Sequence, residues 1–262
     1  MTKEIVLITG ASSGIGESLA KRVARDGRAV GLVARRADRL QALASDLQKT
    51  HGVETHVLPS DLTKKGAVSE LAAEVGRRGL VVDWLINNAG FGTYGAFHEL
   101  PVEKELEEIR LNVEALVELT GRFLPGMVQR GHGVVINVSS IGGLFPSPFM
   151  ATYTATKAFV VSFSEGLAVE LRDKGVSVLC VCPGFTRTEF QGKIDVDTSH
   201  LPNMMWMSAD AVADEAVRAA AKGGVLVNGR MNRVFTSVMS FLPRTWLARA
   251  SAGLLRSTGQ GH

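Results

Sequence analysis

The sequence predicts an α/β protein, a single domain in which a doubly wound parallel sheet is covered by helices on both faces. Short β-rich apolar runs alternate with helical ones along most of the chain. The first of these runs passes straight into a glycine-rich turn and a helix. With 262 residues, 45% of them hydrophobic, the chain can bury a large core without splitting in two.

Taken in order, "EIVLITG" is the first strand, an apolar run that stops at Gly10. "GESLAKRVARDG" then places apolar residues at steps of three and four and ends on glycine, as an amphipathic helix does. "AVGLVAR" and "ADRLQALASDLQKTHG" repeat the strand and helix pattern. "THVLPSD", "DWLINNAG", "GVVINVSS", "VSVLCVCPG" and "GGVLVNG" supply the remaining strands. From Glu103 to Arg130, Leu106, Ile109, Val113, Leu116, Val117, Phe123, Leu124 and Met127 recur at helical spacing with glutamates on the opposite side. That predicts one long helix, bent at Pro125 and ended by "GHG". A second long helix is expected over 152–173. Residues 1–230 make the domain, and 231–262 form an extension, helical in expectation, with no place in the sheet pattern.

Bulk properties exclude several classes. Lys plus Arg number 29 against 26 Asp plus Glu, and the formal charge of +3 is spread along the chain, too weak a signal for nucleic acid. Cys180 and Cys182 lie two apart on one strand face, badly placed for a disulfide and without zinc-knuckle spacing, so they read as core thiols. The six histidines lack the spacing of a metal site, and no metal is expected. Neither a secretion signal nor a membrane span is visible in the sequence, which makes a cytoplasmic location the expectation.

The turn "TGASSGIG" carries the first chemistry. Gly10 permits a tight turn, Gly14 and Gly16 let backbone N–H groups approach an anion, and the next helix presents its positive end. A dinucleotide pyrophosphate fits, which makes the sheet Rossmann-type, although the G-x-x-x-G-x-G spacing departs from the common G-x-G-x-x-G fingerprint. At the end of the second strand, where NAD-binding proteins offer a carboxylate to the ribose, stand Arg35 and Arg36. Guanidinium groups suit a 2′-phosphate, so NADP(H) is favoured over NAD, a solvated arginine pair being the plainer reading. Asp61 either accepts from the adenine amine or caps the following helix.

"ATYTATKAF" places Lys157 four residues after Tyr153, one helical turn, so both side chains share a face. An ammonium beside a phenol favours the phenolate and moves the tyrosine toward the working pH range of an acid/base catalyst. Ser140, 13 residues before the tyrosine, ends a strand at the carboxyl edge of the sheet, where open α/β folds bind ligands. Ser139 points to the other face of that strand.

With these motifs in order, the chain resembles the short-chain dehydrogenase/reductase family over nearly its whole length to about residue 230. "TGASSGIG" resembles the family's cofactor turn, "NNAG" its central strand motif and "PGFTRT" the segment folded over the nicotinamide carboxamide. Asn112, Ser140, Tyr153 and Lys157 fall where its catalytic tetrad would be. The resemblance implies that Tyr153 exchanges a proton with the substrate oxygen, which Ser140 holds. It implies that Lys157 binds the nicotinamide ribose and lowers the tyrosine pKa, and that Asn112 fixes a water leading to solvent. It also implies cofactor contacts from Ser12, Ser13 and Ile15 in the turn and Leu62 after Asp61. Asn88, Ala89 and Gly90 would sit near the adenosine half; Pro183, Gly184, Thr186 and Thr188 near the carboxamide. Some NADP-dependent relatives carry a basic residue at the place of Ser13, so the NADP preference rests on Arg35 and Arg36. Relatives often pair through two long helices, which implies a homodimer or homotetramer.

Beyond the cofactor segment, Met204, Met205, Trp206 and Met207 suit either a soft lid over a hydrophobic carbonyl substrate or ordinary core packing. The extension mixes Phe, Trp and Leu with Arg244, Arg249 and Arg256. Packing over the substrate mouth, a subunit contact and a membrane surface all fit; Pro243 and the small basic excess favour a protein contact. The function expected is NADP(H)-dependent interconversion of a small-molecule carbonyl, a hydrophobic ketone or aldehyde, and its alcohol by hydride transfer with the tyrosine as acid/base. The alternatives are a non-catalytic NADP-sensing regulator and a peripheral membrane scaffold.

Overall fold

The computed structural model describes residues 3–189 and 206–256. Strands β1 (Lys3–Thr9), β2 (Val30–Ala34), β3 (Thr55–Pro59), β4 (Leu80–Asn87), β5 (Gly133–Val138), β6 (Val176–Cys182) and β9 (Gly224–Val227) form one sheet. Its order is β3-β2-β1-β4-β5-β6-β9 and every pairing is parallel. A short parallel pair, β7 (Thr186–Arg187) and β8 (Met207–Ser208), stands apart from it. The seven expected strands are all present.

The continuous apolar runs follow from double-sided coverage. One core, which includes Leu19, Leu32, Leu40 and Ile136, lies against α1 (Gly14–Arg25), α2 (Ala37–His51) and α7 (Ala209–Ala219). The other, which includes Leu7, Leu71, Leu85 and Leu119, lies against α3 (Ala67–Arg77) and α5 (Ala115–Arg130). From β1 the chain winds outward through β2 and β3, then returns to β4 on the other side. That reversal opens a crevice between the carboxyl ends of β1 and β4.

The long helix expected over 103–130 is interrupted. α4 (Val102–Ile109) runs into a π-turn at Arg110–Glu114 before α5 begins, whereas Pro125 lies inside α5 without ending it. Its orientation also differs from expectation. Leu106, Ile109 and Val117 are exposed, while Glu105 and Glu108 are buried. Leu116, Phe123, Leu124 and Met127 pack toward the core as expected, but Leu106, Ile109 and Val117 face away from it and, with Phe159 of α6 (Ala151–Glu170), form an exposed apolar face. Of the two inward glutamates, Glu108 instead holds a loop, as the site shows. The extension is helical as expected, with α8 (Arg230–Met239) and α9 (Arg244–Arg256). Among the described residues no helix is long and apolar enough to cross a membrane.

Candidate active site

The glycine turn is built by close backbone approach. Gly10 and Gly14 have φ of 67° and 59°, which glycine adopts without strain. A Cβ on Gly16 would lie 2.3 Å from the Gly10 carbonyl oxygen and 2.5 Å from Asn88 Nδ2. Thr9 Oγ1 accepts from the backbone N–H groups of Asn88 and Ala89, each at 3.0 Å, and Asn88 Nδ2 donates to the Thr9 carbonyl at 2.9 Å. The Asn88 side chain thus ties β1 to β4. Ser13, the residue before α1, makes no side-chain bond to that helix's first turn, and an anion is the natural partner for those N–H groups. The turn, its glycine cradle and the helix end fit a dinucleotide pyrophosphate.

Beside the turn, Arg36 donates to Ser12 Oγ at 3.0 Å and Ser13 Oγ at 2.8 Å, and pairs with Glu189 at 3.1 Å. Arg39, which sequence reasoning missed, pairs with the same carboxylate. Hydrogen bonds from Arg39 and then Arg36 hold Glu189 down at about 2. The carboxylate occupies the arginine cluster as a phosphate would. Arg35 is exposed, and against burial its charge helps to hold the nearby Asp61 carboxyl below its ordinary value. Asp61 accepts from the Thr63 N–H at 3.2 Å and from Thr63 Oγ1 at 2.7 Å. Since α3 begins only at Ala67, Asp61 closes a turn and caps no helix, and Leu62 beside it is buried.

Ser140 follows β5 with its Oγ accepting from the Gly142 N–H at 3.0 Å and hydrogen-bonded to Tyr153. Ser139 turns the other way, as alternation requires, and donates to the Lys157 carbonyl at 2.8 Å. Tyr153 and Lys157 sit one turn apart on α6, with Lys157 Nζ 5.8 Å from the tyrosine ring centre and donating to the Val138 carbonyl at 3.0 Å. The expected lowering of the phenol is not found in the chain alone. Burial pushes Tyr153 up to about 12 against the hydrogen bond from Ser140, and burial brings Lys157 down to about 8. The ammonium is itself desolvated and spends a donor on Val138, so desolvation outweighs its pull on the phenol.

Asn112 lies in the π-turn and is buried. Its Oδ1 accepts from the Phe91 N–H at 3.1 Å, and its Nδ2 donates to the Phe91 carbonyl at 2.8 Å and Thr156 Oγ1 at 3.1 Å. The side chain is thus fixed by protein atoms through Nδ2 and one lone pair of Oδ1. Such π-turns recur at functional sites. A Cβ on Gly90 would lie 2.9 Å from Asn112 Oδ1 and 3.4 Å from Lys157 Nζ. Gly90 thus stands at the tyrosine–lysine end of the crevice, away from the adenosine half that the resemblance implied.

One turn before Asn112, the buried Glu108 accepts from Thr93 N–H and Thr93 Oγ1, both at 3.0 Å. The two side chains together fix the loop that follows "NNAG". The second oxygen of Glu108 and one of Glu105 are buried without a hydrogen-bond partner. Burial, with the neighbouring Glu105 adding to it, raises Glu108 to about 7 despite the Thr93 bonds. A polar row also crosses the core: Asn87 Nδ2 donates to Asn137 Oδ1 at 2.9 Å, and Asn137 Nδ2 to Ser164 Oγ on α6 at 2.9 Å. Asparagines inside apolar strand runs were the readable sign of it.

The segment after β6 closes over the crevice. The Pro183 carbonyl accepts from the Ile141 N–H at 2.9 Å, and Thr186 Oγ1 donates to the Gly184 carbonyl at 2.9 Å. Thr188 packs on Gly14, its Cβ 3.1 Å from where a Gly14 Cβ would be, near Ile15 at the head of α1. The Trp206 ring lies 5.7 Å from that of Phe185, and Met207 is partly buried against the core. Met204 and Met205 lie outside the described residues. Cys180 and Cys182 are free and buried, as expected.

A dinucleotide turn at the switch point of a parallel sheet, with serine, tyrosine and lysine converging at the end of β5, defines a nicotinamide-dependent oxidoreductase working on C=O and CH–OH groups. The sequence profile of the short chain dehydrogenase family matches residues 4–199, and the chain belongs to that family. It is 32% identical over 248 residues to the very-long-chain 3-oxoacyl-CoA reductase of Anas platyrhynchos, covering 91% of this chain and 78% of that one. It is 34% identical over 229 residues to a Drosophila melanogaster dehydrogenase/reductase SDR family protein 7-like, covering 82% and 69%. A solved 7β-hydroxysteroid dehydrogenase superposes with a TM-score of 0.86 at 27% identity, over 95% of this chain and 96% of that one. A short-chain dehydrogenase from Sphingobium yanoikuyae in complex with NADPH gives 0.81 at 36% identity, over 92% and 96%.

Proposed function

We propose that the protein is an NADP(H)-dependent reductase of bulky, hydrophobic ketones or aldehydes. The observation that carries the reaction is the convergence of the Ser140 and Tyr153 hydroxyls above the buried Lys157. The cofactor preference rests on Arg36 and Arg39 gathered on one carboxylate beside Ser12 and Ser13, a cluster that matches a 2′-phosphate. A related structure holding NADPH supports it. Phe185 and Trp206 beside the site, and relatives named for very-long-chain 3-oxoacyl-CoA and bulky ketones, support a hydrophobic substrate.

When bound, the reduced nicotinamide supplies the hydride that converts the carbonyl carbon to an alcohol carbon. Ser140 donates a hydrogen bond to the carbonyl oxygen and Tyr153 gives that oxygen its proton. With the phenol pushed up to about 12, Tyr153 stays protonated at neutral pH, the form a reduction needs. An alkoxide is a stronger base than a phenolate, so the transfer runs downhill, and the Lys157 ammonium stabilises the phenolate that remains. Asn112 and Glu108 hold the loop at residues 91–93 beside the lysine. The exposed face of Leu106, Ile109, Val117 and Phe159 supports assembly as a homodimer or homotetramer.

The test is NADPH oxidation across a panel of aldehydes and ketones matched for reactivity, with Tyr153→Phe as the control. Loss of about 10²–10⁴-fold in kcat with folding intact assigns the proton step to the phenol. Faster turnover of small polar carbonyls than of bulky ones would overturn the substrate class, and full activity of the Phe variant would overturn the mechanism.

A further inference from the structure

The end of the chain carries charge of one sign. From Ala216 to His262 there are seven Lys or Arg residues, Arg218, Lys222, Arg230, Arg233, Arg244, Arg249 and Arg256, and no Asp or Glu. Yet the chain as a whole is nearly balanced, at 29 basic and 26 acidic residues. Arg230, Arg233, Arg244 and Arg249 are all exposed, and the ion pairs among the described residues lie elsewhere.

α8 is amphipathic in the reverse sense. Its buried positions are Asn232 and Thr236, both polar. Asn232 Nδ2 donates to the Asn228 carbonyl at 2.8 Å and lies where a Gly184 Cβ would be, which packs that polar side on the cofactor segment. Outward it presents Met231, Val234 and Val238 at steps of three and four, and the stripe continues through Phe241 and Leu242 to Trp246. Phe241 is 88% exposed and Trp246 65%. A helix whose water-facing side is the greasy one is built for something other than water.

The surface also borders the active site. The Phe235 ring on α8 meets Phe145 edge-on at 6.4 Å, and Phe145 lies five residues beyond Ser140.

The surroundings single out one occupant. A two-fold contact with a second copy would bring two arginine rims together, which weighs against the subunit contact expected from the sequence. Aromatic and aliphatic side chains flanked by arginines, with no acid among them, match a layer of anionic headgroups over acyl chains. We propose that the face made by α8, the turn after it and α9 docks the enzyme on an anionic phospholipid surface, with Phe241 and Trp246 entering the headgroup layer and the arginines meeting phosphates. Docking there leaves the mouth beside Phe145 close to the lipid, where a hydrophobic carbonyl compound concentrates. The docking itself does not depend on which carbonyl is reduced.

The experiment is sedimentation of the full-length protein with vesicles of phosphatidylcholine alone or with about 30% phosphatidylglycerol, at low and high salt. Binding at least about tenfold tighter to the anionic vesicles and weakened by salt is expected. A Phe241→Ser/Trp246→Ser double variant and an Arg233→Gln/Arg244→Gln double variant should each lose about tenfold or more in that binding. Both should keep NADPH oxidation rates on a water-soluble aldehyde, which separates this result from the reading of the active site, and both should keep the wild-type subunit count by light scattering. No binding to anionic vesicles, binding untouched by the serine changes, or a subunit count that falls when the apolar side chains are removed would each overturn the proposal, the last by making the face a subunit contact.

Discussion

Replacing Glu108 with glutamine keeps an acceptor for the Thr93 N–H and removes a titration. Burial raises this carboxyl from 4.5 to about 7 on folding. The folded protein therefore holds the proton more tightly than the unfolded chain, and the resulting stabilisation is fully present below about pH 4.5 and lost as pH rises through about 7. The full shift corresponds to about 3 kcal/mol. Some 2 kcal/mol of it, roughly, falls between about pH 5.5 and 8.5. Urea unfolding of wild type and Glu108→Gln at those two pH values reads it directly. The wild type should lose about 2 kcal/mol relative to the variant on going to the higher pH. A difference that stays flat, or that moves in favour of the wild type, would show that this carboxyl is ionised in the fold and that its inward placement is wrong.

Gly16→Ala should abolish cofactor binding, measured by NADPH fluorescence, and destabilise the fold by about 1–3 kcal/mol, because its Cβ would meet the Gly10 carbonyl at 2.3 Å. Arg36→Ala should raise the KM for NADPH by about tenfold or more and leave that for NADH nearly unchanged, a split that steady-state kinetics with both cofactors resolves. In ultraviolet titration of the cofactor-free protein, the tyrosinate signal lost in Tyr153→Phe should be centred near about 12, well above an ordinary phenol. Asn137→Ala, which breaks the bonds to Asn87 and Ser164, should cost about 1–3 kcal/mol in denaturant unfolding.

The strands and the glycine turn were legible because double-sided burial writes unbroken apolar runs, and because the crowded approach of Gly16 to Gly10 leaves room for no other residue. Tyr153, Lys157 and Ser140 were legible through helical spacing and strand ends. α4 was misread for a physical reason. A stripe such as Leu106, Ile109 and Val117 announces that an apolar surface will be covered, but not whether by the sheet or by another molecule. Glu105 and Glu108 looked like the wet side of that helix, since the partner that draws Glu108 inward, Thr93, lies 15 residues away with no spacing rule to connect them. Arg35 and Arg36 are neighbours in sequence, and only the path of the turn decides that Arg36 reaches Ser12 and Ser13. The tyrosine pKa depended on burial, which spacing does not encode.

The row of side chains from Asn87 through Asn137 to Ser164 ends on the same helix that carries Tyr153 and Lys157. Hydrophobic packing alone lets a helix roll on a sheet at small cost, since one aliphatic contact replaces another. A directional bond to Ser164 does not allow that, because turning the helix by even one residue would strand a buried amide. The angular setting of the reacting phenol is thus indexed from the centre of the sheet, more than two turns away from the chemistry it serves.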